Sequence, residues 1–236
     1  MAILHKEYIN FNSAIKLTQS RIDSLNKSKK EIRKKIRNWF TTNKPEEIQP
    51  KFGGQGSFMM GTGVNPIVKY DKDGNKLLKY DLDYGIYFIG DNDDTKKQSI
   101  TTWHNWIYDS VKDHTNQDPI DKNTCVRVIF ADGHNIDLPI YYKKDNLLEL
   151  AHKAKGWLDS DPKAFYEWFN NNKTTQLERI VRYFKVWKDF RESNNTNLKL
   201  PSGFEFTILA TNNFHADDSD DIAFRETVRN IHNELN

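Results

Sequence analysis

Apolar residues recur at intervals of three, four and seven along the first forty positions, with no proline or glycine between residues 5 and 40. Such spacing places the apolar side chains on one side of an α-helix. The pattern therefore predicts one long amphipathic helix over residues 5–40. Its apolar stripe consists of Phe11, Ile15, Ile22, Leu25, Ile32, Ile36 and Trp39.

The second half of this predicted helix is strongly basic. Residues 27–37 contain seven Lys or Arg side chains and one acidic residue, Glu31. Charged runs on helices are commonly solvated faces, and the alternative is a surface that contacts a phosphate backbone. No aromatic residue interleaves the run, which favours the solvated face, because stacking platforms for bases are missing.

The middle of the chain has the pattern of strands joined by tight turns. Two pairs of apolar segments each flank an Asp-Gly pair, which supplies the positive φ that a hairpin turn requires. The first hairpin is predicted from residues 67–70 and 77–88 around the turn 71–75, and the second from residues 126–130 and 136–142 around Asp132-Gly133. A helix is predicted between them at residues 100–111, and a glycine-rich loop before them at residues 53–63. The sheet has at least four strands.

Helical spacing dominates from residue 146 onward. Helices are predicted at residues 147–158, 162–170, 177–190, 204–212 and 222–235, with a loop rich in Asn, Ser and Pro at residues 193–202.

Composition narrows the class of protein. The chain of 236 residues is 37% hydrophobic, and its 35 basic and 33 acidic residues give a net charge of +2. A core can form without disulfides, and so small a charge argues against binding nucleic acid by bulk attraction. The single cysteine, Cys125, fits a reducing compartment such as the cytosol. No segment has the length of a membrane span or the pattern of a signal peptide, and the histidines lack zinc-type spacing.

Two aspartates stand one residue apart in an otherwise apolar strand. A period of two places Asp81 and Asp83 on one face of that strand. Like charges this close repel each other, and hard oxygen ligands suit Mg²⁺ or Mn²⁺. A pair with this spacing is commonplace, but buried charges without compensation are costly, so the apolar context predicts a cation site.

A third carboxylate, Asp137, also interrupts an apolar strand. The alternative for Asp137 is a surface carboxylate on an edge strand beside Pro139. Upstream, the glycines around Gln55-Gly56-Ser57 would let backbone amides and the Ser57 hydroxyl approach phosphate oxygens. This segment lacks the lysine of a Walker loop, and in isolation it would be read as an ordinary glycine turn.

Gly56-Ser57, the strand segment 80–88 and Asp137 together resemble the signature of the bacterial CD-NTases, the cGAS/DncV-like nucleotidyltransferases of the polymerase-beta superfamily. The likeness extends to residues 179–188 and 200–204 and covers most of the chain. It implies an α+β fold with a polymerase-beta-like nucleotidyltransferase core sheet. The implied domains are a long N-terminal helix bridging the lobes (1–42), the catalytic core (43–145) and a helical C-terminal lobe (146–236).

The resemblance also implies an activity, which is the synthesis of cyclic di- or trinucleotides from NTPs, ATP among them, as a signal of bacterial anti-phage (CBASS) defence in the cytoplasm. Effector or regulatory proteins of the same defence system are implied as partners. We expect a monomer that needs neither a membrane nor nucleic acid. The helical lobe is short for the family, which leaves the completeness of the C-terminus open.

Roles follow by motif position. The resemblance implies that Asp81 and Asp83 hold two Mg²⁺ (or Mn²⁺) ions, and that Asp137 binds one of them and helps to deprotonate the attacking ribose hydroxyl. The triphosphate would be held by the nucleotide-binding residues Gln55, Gly56, Ser57, Lys185 and Ser202.

Two other functions remain open at this point. The same carboxylates would serve a nucleotidyltransferase that modifies RNA ends, a small molecule or a protein. A catalytically silent nucleic-acid-binding module would instead use the basic helix face, and the intact carboxylate triad argues against it. The joined bases, the linkage, the ring size and the activating cue are not encoded in any motif.

Overall fold

A computed structural model describes residues 4–70, 76–90, 94–195 and 197–236 of the chain. The turn predicted at residues 71–75 lies outside them. Within the described residues the helices are α1 (His5–Ile15), α2 (Gln19–Asn43), α3 (Gly56–Met60), α4 (Ile100–Val111), α5 (Pro162–Asn172), α6 (Thr175–Asn194), α7 (Gly203–Asn212) and α8 (Asp220–Leu235). The strands are β1 (Lys51–Gln55), β2 (Lys69–Tyr70), β3 (Lys76–Leu77), β4 (Tyr80–Ile89), β5 (Ile120–Asp121), β6 (Cys125–Ile129), β7 (His134–Lys144), β8 (Leu147–His152) and β9 (Gly156–Asp159).

The chain divides into two compact units. The first contains residues up to 18, residues 57–68 and residues 165–236, and the second contains residues 19–56 and 69–164. These units do not coincide with the three segments 1–42, 43–145 and 146–236, and as a division by function those segments stay a prediction.

The second unit is built on a mixed sheet in the strand order β1-β4-β7-β6-β5, with β8 and β9 continuing from β7. β4 and β7 are parallel, and the other neighbouring strands in this sheet are antiparallel. β2 and β3 form a separate antiparallel pair. The α+β class predicted from the sequence is confirmed.

One face of this sheet forms the core of the second unit. Every second residue of β4 is buried there, and Phe88 stacks on Trp103 of α4 with ring centroids 4.5 Å apart. α2 contributes Phe40, whose ring lies 5.6 Å from that of Phe88. Because side chains alternate along a strand, the intervening residues of β4 and β7 face the opposite side.

The first unit is helical and centres on α6. Its buried cluster includes Met60, Phe169, Leu177, Ile180, Val181, Phe184, Phe206 and Ala210. Thr174 precedes α6 as its N-cap, and its hydroxyl accepts from the Leu177 amide. In the described part of the chain we find no helix with both the length and the apolar character that a membrane crossing requires.

The long helix predicted over residues 5–40 is wrong in one respect, because it is two helices. The chain leaves the helix at Lys16, which is extended at φ −60° and ψ 138°. Asn65 satisfies the freed groups, since its side chain donates to the Ala14 carbonyl (3.0 Å) and accepts from the Thr18 amide (3.2 Å). The break is made by a segment distant in sequence, so no local proline or glycine marks it.

The helix predicted at residues 147–158 is also wrong, because these residues form β8 and β9. A short apolar run fits either period, and here pairing of β8 with the end of β7 decides the conformation. Gly156, at φ 82°, begins β9.

The loop predicted at residues 53–63 is wrong as well. Gly53 and Gly54 lie in β1, where they pair with Gly85 and Tyr84 of β4. Pairing with a central strand overrides the low strand preference of glycine. By contrast, α4 begins and ends where the sequence predicted, and the β6–β7 hairpin is confirmed, with Gly133 at φ 92° in its turn.

Candidate active site

Strand geometry brings the three predicted carboxylates to one face of the sheet. Asp81 and Asp83 are two residues apart in β4, on the side opposite the buried Leu82. In the parallel pair β4–β7, Asp83 lies in register with Asp137. The Asp81 side chain is 52% exposed and that of Asp137 only 12%.

Burial and the neighbouring carboxylates both disfavour ionisation of Asp83. Burial raises the pKa of Asp83 to about 7, and the charges of Asp81 and Asp137 add to the shift, while Arg127 and Lys122 oppose it. A carboxyl of this kind is only partly ionised at neutral pH unless further positive charge is supplied. The cluster therefore carries more negative charge than its own cations neutralise.

Arg127 is the main cation of the cluster, and it was not predicted from the sequence. From β6 it donates two hydrogen bonds to Asp137, Nε to Oδ1 at 2.6 Å and Nη2 to Oδ2 at 2.7 Å. Its Nη2 also lies 3.8 Å from Asp81 Oδ2, and Lys122 Nζ lies 3.6 Å from Asp137 Oδ2. A signal was present, since Arg127 interrupts an apolar strand between two valines, as Asp137 does between Ile and Leu.

The donor chemistry fits a hard divalent cation, because carboxylate oxygens with excess negative charge are the ligands that Mg²⁺ and Mn²⁺ prefer. The arrangement is less open than the sequence predicted, since both oxygens of Asp137 accept from Arg127. Within the described ranges, no three Asp, Glu, His or Cys side chains are grouped to hold a metal ion. Asp81 and Asp83 suit a cation as they stand, and Asp137 can bind one through the lone pairs that Arg127 does not use.

Gly56 lies against this cluster. Its φ is 68°, and a Cβ at this position would lie 2.3 Å from Asp83 Oδ2. Any other residue would meet both a backbone penalty and a clash with the carboxylate. The glycine therefore lets the start of α3 approach Asp83 at backbone distance.

The side chain of Gln55 is buried and already occupied. Its Nε2 donates to the Tyr87 hydroxyl (3.2 Å), and the Tyr141 hydroxyl donates to its Oε1 (3.0 Å). The two tyrosine rings stack at 4.9 Å, and burial raises the pKa of Tyr87 to about 12. Gln55 thus fixes the end of β1 beside the carboxylates, and its main chain is better placed than its side chain to meet a ligand.

The remaining predicted residues lie in the first unit. The carbonyl of Ser57, the second residue of α3, accepts from the Thr62 amide at 3.0 Å. Lys185 is buried, and its Nζ lies 3.0 Å from the Thr62 hydroxyl. Ser202 is the N-cap of α7 and forms a capping box with Glu205. Lys185 and the start of α7 are neighbours, because a Cβ on Gly203 would lie 3.3 Å from Lys185 Cε.

Comparisons with known proteins are consistent with this arrangement. Residues 50–141 match the family described as "Cyclic GMP-AMP synthase DncV-like, nucleotidyltransferase domain". A cyclic GMP-AMP synthase of Escherichia albertii is 31% identical over 195 residues, which is 78% of this chain and 42% of that protein. The chain thus spans less than half the length of this relative.

Solved structures share the fold. Vibrio cholerae DncV in complex with GTP and 5MTHFGLU2 superposes with a TM-score of 0.78 at 19% identity, covering 99% of this chain and 80% of that one. The same enzyme with the linear intermediate 5′ pppA(3′,5′)pG gives 0.76 at 19% identity, covering 99% and 79%. Escherichia coli DncV with 3′-deoxy GTP gives 0.73 at 19% identity, covering 95% and 76%.

Proposed function

We propose that the chain is a member of the CD-NTase family, the cGAS/DncV-like nucleotidyltransferases, and that it joins NTPs into a cyclic oligonucleotide with release of pyrophosphate. The observation that carries this proposal is the carboxylate cluster. Asp81 and Asp83 share a strand face, Asp137 lies in register on the next strand, and Gly56 brings the chain within reach of Asp83.

In this reaction a ribose hydroxyl oxygen forms a bond to the α-phosphorus of an NTP, and the bond from that phosphorus to the β-phosphate oxygen breaks. The hydroxyl proton must leave, and we assign its uptake to Asp137. Arg127 orients the Asp137 carboxylate through its two hydrogen bonds. In this scheme the protein mainly positions and neutralises the reacting groups.

Asp81, Asp83 and Asp137 are the residues that would hold two Mg²⁺ or Mn²⁺ ions. When bound, such ions supply positive charge to the transferring phosphoryl group and acidify the attacking hydroxyl. Ser57, Lys185 and Ser202, with the main chain at Gln55 and Gly56, are proposed to hold the triphosphate. The raised pKa of Asp83, caused first by burial and then by the charges of Asp81 and Asp137, supports a cation site, because a bound cation would favour the ionised carboxylate there.

The relatives suggest the substrates. Vibrio cholerae DncV has been solved with a nonhydrolyzable GTP, with 3′-deoxy ATP and with the linear intermediate 5′ pppA(3′,5′)pG, so ATP and GTP are the first nucleotides to test here. A cytoplasmic monomer acting in anti-phage (CBASS) signalling, with effector or regulatory proteins as partners, completes the proposal.

Incubation with the four NTPs, each in turn α-labelled, and Mg²⁺ or Mn²⁺ tests the proposed function. We expect pyrophosphate release and a nucleotide product without any added RNA, protein or small molecule. Transfer of label only to an added acceptor would favour the nucleotidyltransferase that modifies RNA ends, small molecules or proteins. Loss of the product in Asp83→Asn shows that it comes from this site and not from a contaminant.

A further inference from the structure

Arg182 of α6 has a buried guanidinium whose close contacts are neutral. Its side chain is 3% exposed. Nη1 donates to the Gly61 carbonyl at 2.6 Å, and Nε donates to the Asn12 side-chain oxygen at 2.9 Å. The nearest carboxylate, that of Glu178, is 3.9 Å away. Burying a charge costs free energy, so we interpret the hydrogen bond from this side chain to the Gly61 carbonyl as one that holds the main chain in place.

The main chain that Arg182 holds belongs to residues 57–62, which are the last four residues of the single-turn helix α3 and the turn that ends it. In the turn 57–62 the Thr62 amide donates to the Ser57 carbonyl, and Gly61 adopts a φ of 72°. Lys185, three residues further along α6, donates to Thr62, whose side chain is fully buried. Arg182 and Lys185 thus hold the carbonyl of Gly61 and the hydroxyl of Thr62 from adjacent positions on one helix.

Arg179 provides a contrast on the same helix. It donates to both oxygens of the buried Asp220 at 2.6 and 2.7 Å, an ion pair that ties α6 to α8. Both arginines are largely buried and both cross-link helical parts of the first unit, but Arg179 makes no contact with the turn 57–62 among the interactions described.

We propose that Arg182 is a positioning residue that fixes the turn 57–62, and through it Ser57, for binding of a nucleoside triphosphate. The inference rests on the proposed function of Ser57 in holding the triphosphate. A displaced turn holds the triphosphate less well, so we expect the loss to appear mainly as weaker binding of the NTP.

The test compares Arg182→Met with Arg179→Met, which removes a similar side chain from the same helix. Hydrogen exchange of the peptide that contains Thr62 should speed up by at least about tenfold in Arg182→Met alone. KM for the NTP should rise by about tenfold or more in Arg182→Met and by less than about twofold in Arg179→Met, with kcat falling less than KM rises. Arg182→Lys, which keeps one donor, should recover part of the KM change.

Asn12→Ala keeps the protein testable if Arg182→Met does not fold, because it removes only the second acceptor of the guanidinium. It should raise KM in the same direction by about threefold. If the parent protein is active and the Arg182 and Arg179 variants show equal KM and equal hydrogen exchange of the Thr62 peptide, the inference about Arg182 is overturned. The proposed function is not affected by that result. A parent protein that turns over no NTP would refute the proposed function, and the assignment of Arg182 to triphosphate binding would fall with it.

Discussion

At the scale of single residues, charge balance governs the carboxylate cluster. Burial and the charges of Asp81 and Asp137 disfavour ionisation of Asp83. The close, bidentate counter-charge that Arg127 supplies goes to Asp137. Asp83 therefore bears the uncompensated part of the charge. Its titration and its replacement are the most direct probes of the site.

Asp83→Asn should abolish turnover and stabilise the protein when divalent ions are removed with EDTA. The folded-state pKa of about 7 lies above the ordinary value of 3.8, so the stability that this group contributes is present at low pH and is lost as pH rises through about 7. The free energy of unfolding of the variant should exceed that of the parent by on the order of 2 kcal/mol at pH 8, after allowance for partial exposure. The difference should be smaller at pH 5.

Urea unfolding in EDTA at pH 5 and pH 8 measures this effect, with Asp81→Asn as the matched control. Asp81 is half exposed, so its amide variant should lose turnover with a smaller gain in stability. Substantial activity of either variant at saturating Mg²⁺ would refute the site assignment.

Arg127→Gln should act in the opposite direction on stability. It removes two charge-assisted hydrogen bonds and leaves Asp137 without its close counter-charge, at a cost of about 3 kcal/mol at pH 8. Turnover should fall by about 100-fold because Asp137 loses its orientation. Lys122→Gln removes the same formal charge from a single 3.6 Å contact, and it should cost less than about 1 kcal/mol. Equal losses of unfolding free energy and of steady-state rate in the two variants would show that only the net charge of the cluster matters.

At the scale of elements, the basic face of α2 is partly engaged within the molecule. The guanidinium groups of Arg33 and Arg37 lie over the ring of Phe52 at 5.9 and 5.4 Å, and Lys35 donates to the Lys112 carbonyl. These contacts support the interpretation of this face as one that packs and is solvated, in preference to a phosphate-binding surface.

Replacing Lys30, Arg33, Lys34 and Arg37 with Gln should leave NTP turnover within about threefold of the parent, with a stability loss of about 1–2 kcal/mol from the cation–π contacts. Rates of the parent measured from about 50 to 300 mM salt should be the same with and without added duplex, because this face would form no phosphate-backbone contacts and release no counterions. Strict dependence of the parent on added duplex, with a steep salt dependence, would contradict this prediction.

Sequence was most informative about elements whose conformation is determined locally. α4 and the β6–β7 hairpin carry their own caps and turns, and they form where predicted. The break at residues 16–18 and strand β1 depend on partners distant in sequence, and these were missed. The β8–β9 hairpin was missed because its short apolar runs fit either period, and pairing with the neighbouring strand β7 decides the conformation. The carboxylates were found because each is a charge in an apolar strand, whereas Arg127, which has the same signature, was overlooked.

At the scale of the whole molecule, the fold is that of DncV, and the chain spans 42% of the length of the Escherichia albertii relative. Shared fold does not by itself specify the product. Ring closure requires that a linear intermediate be processed a second time at the same carboxylates. The identity of the product therefore tests more of the molecule than any single substitution does.

We predict that the product is a cyclic oligonucleotide. Closing a ring consumes the 5′-triphosphate of the linear intermediate, so each α-phosphate becomes an internal diester and no phosphomonoester remains. With α-labelled NTPs, phosphatase should then release no label from the product, while nucleotides left unreacted lose all of theirs. A linear dinucleotide would lose the one of its two labelled phosphates that lies at the 5′ end. Release of that phosphate, persisting after long incubation with excess enzyme, would show that the protein joins nucleotides without closing the ring.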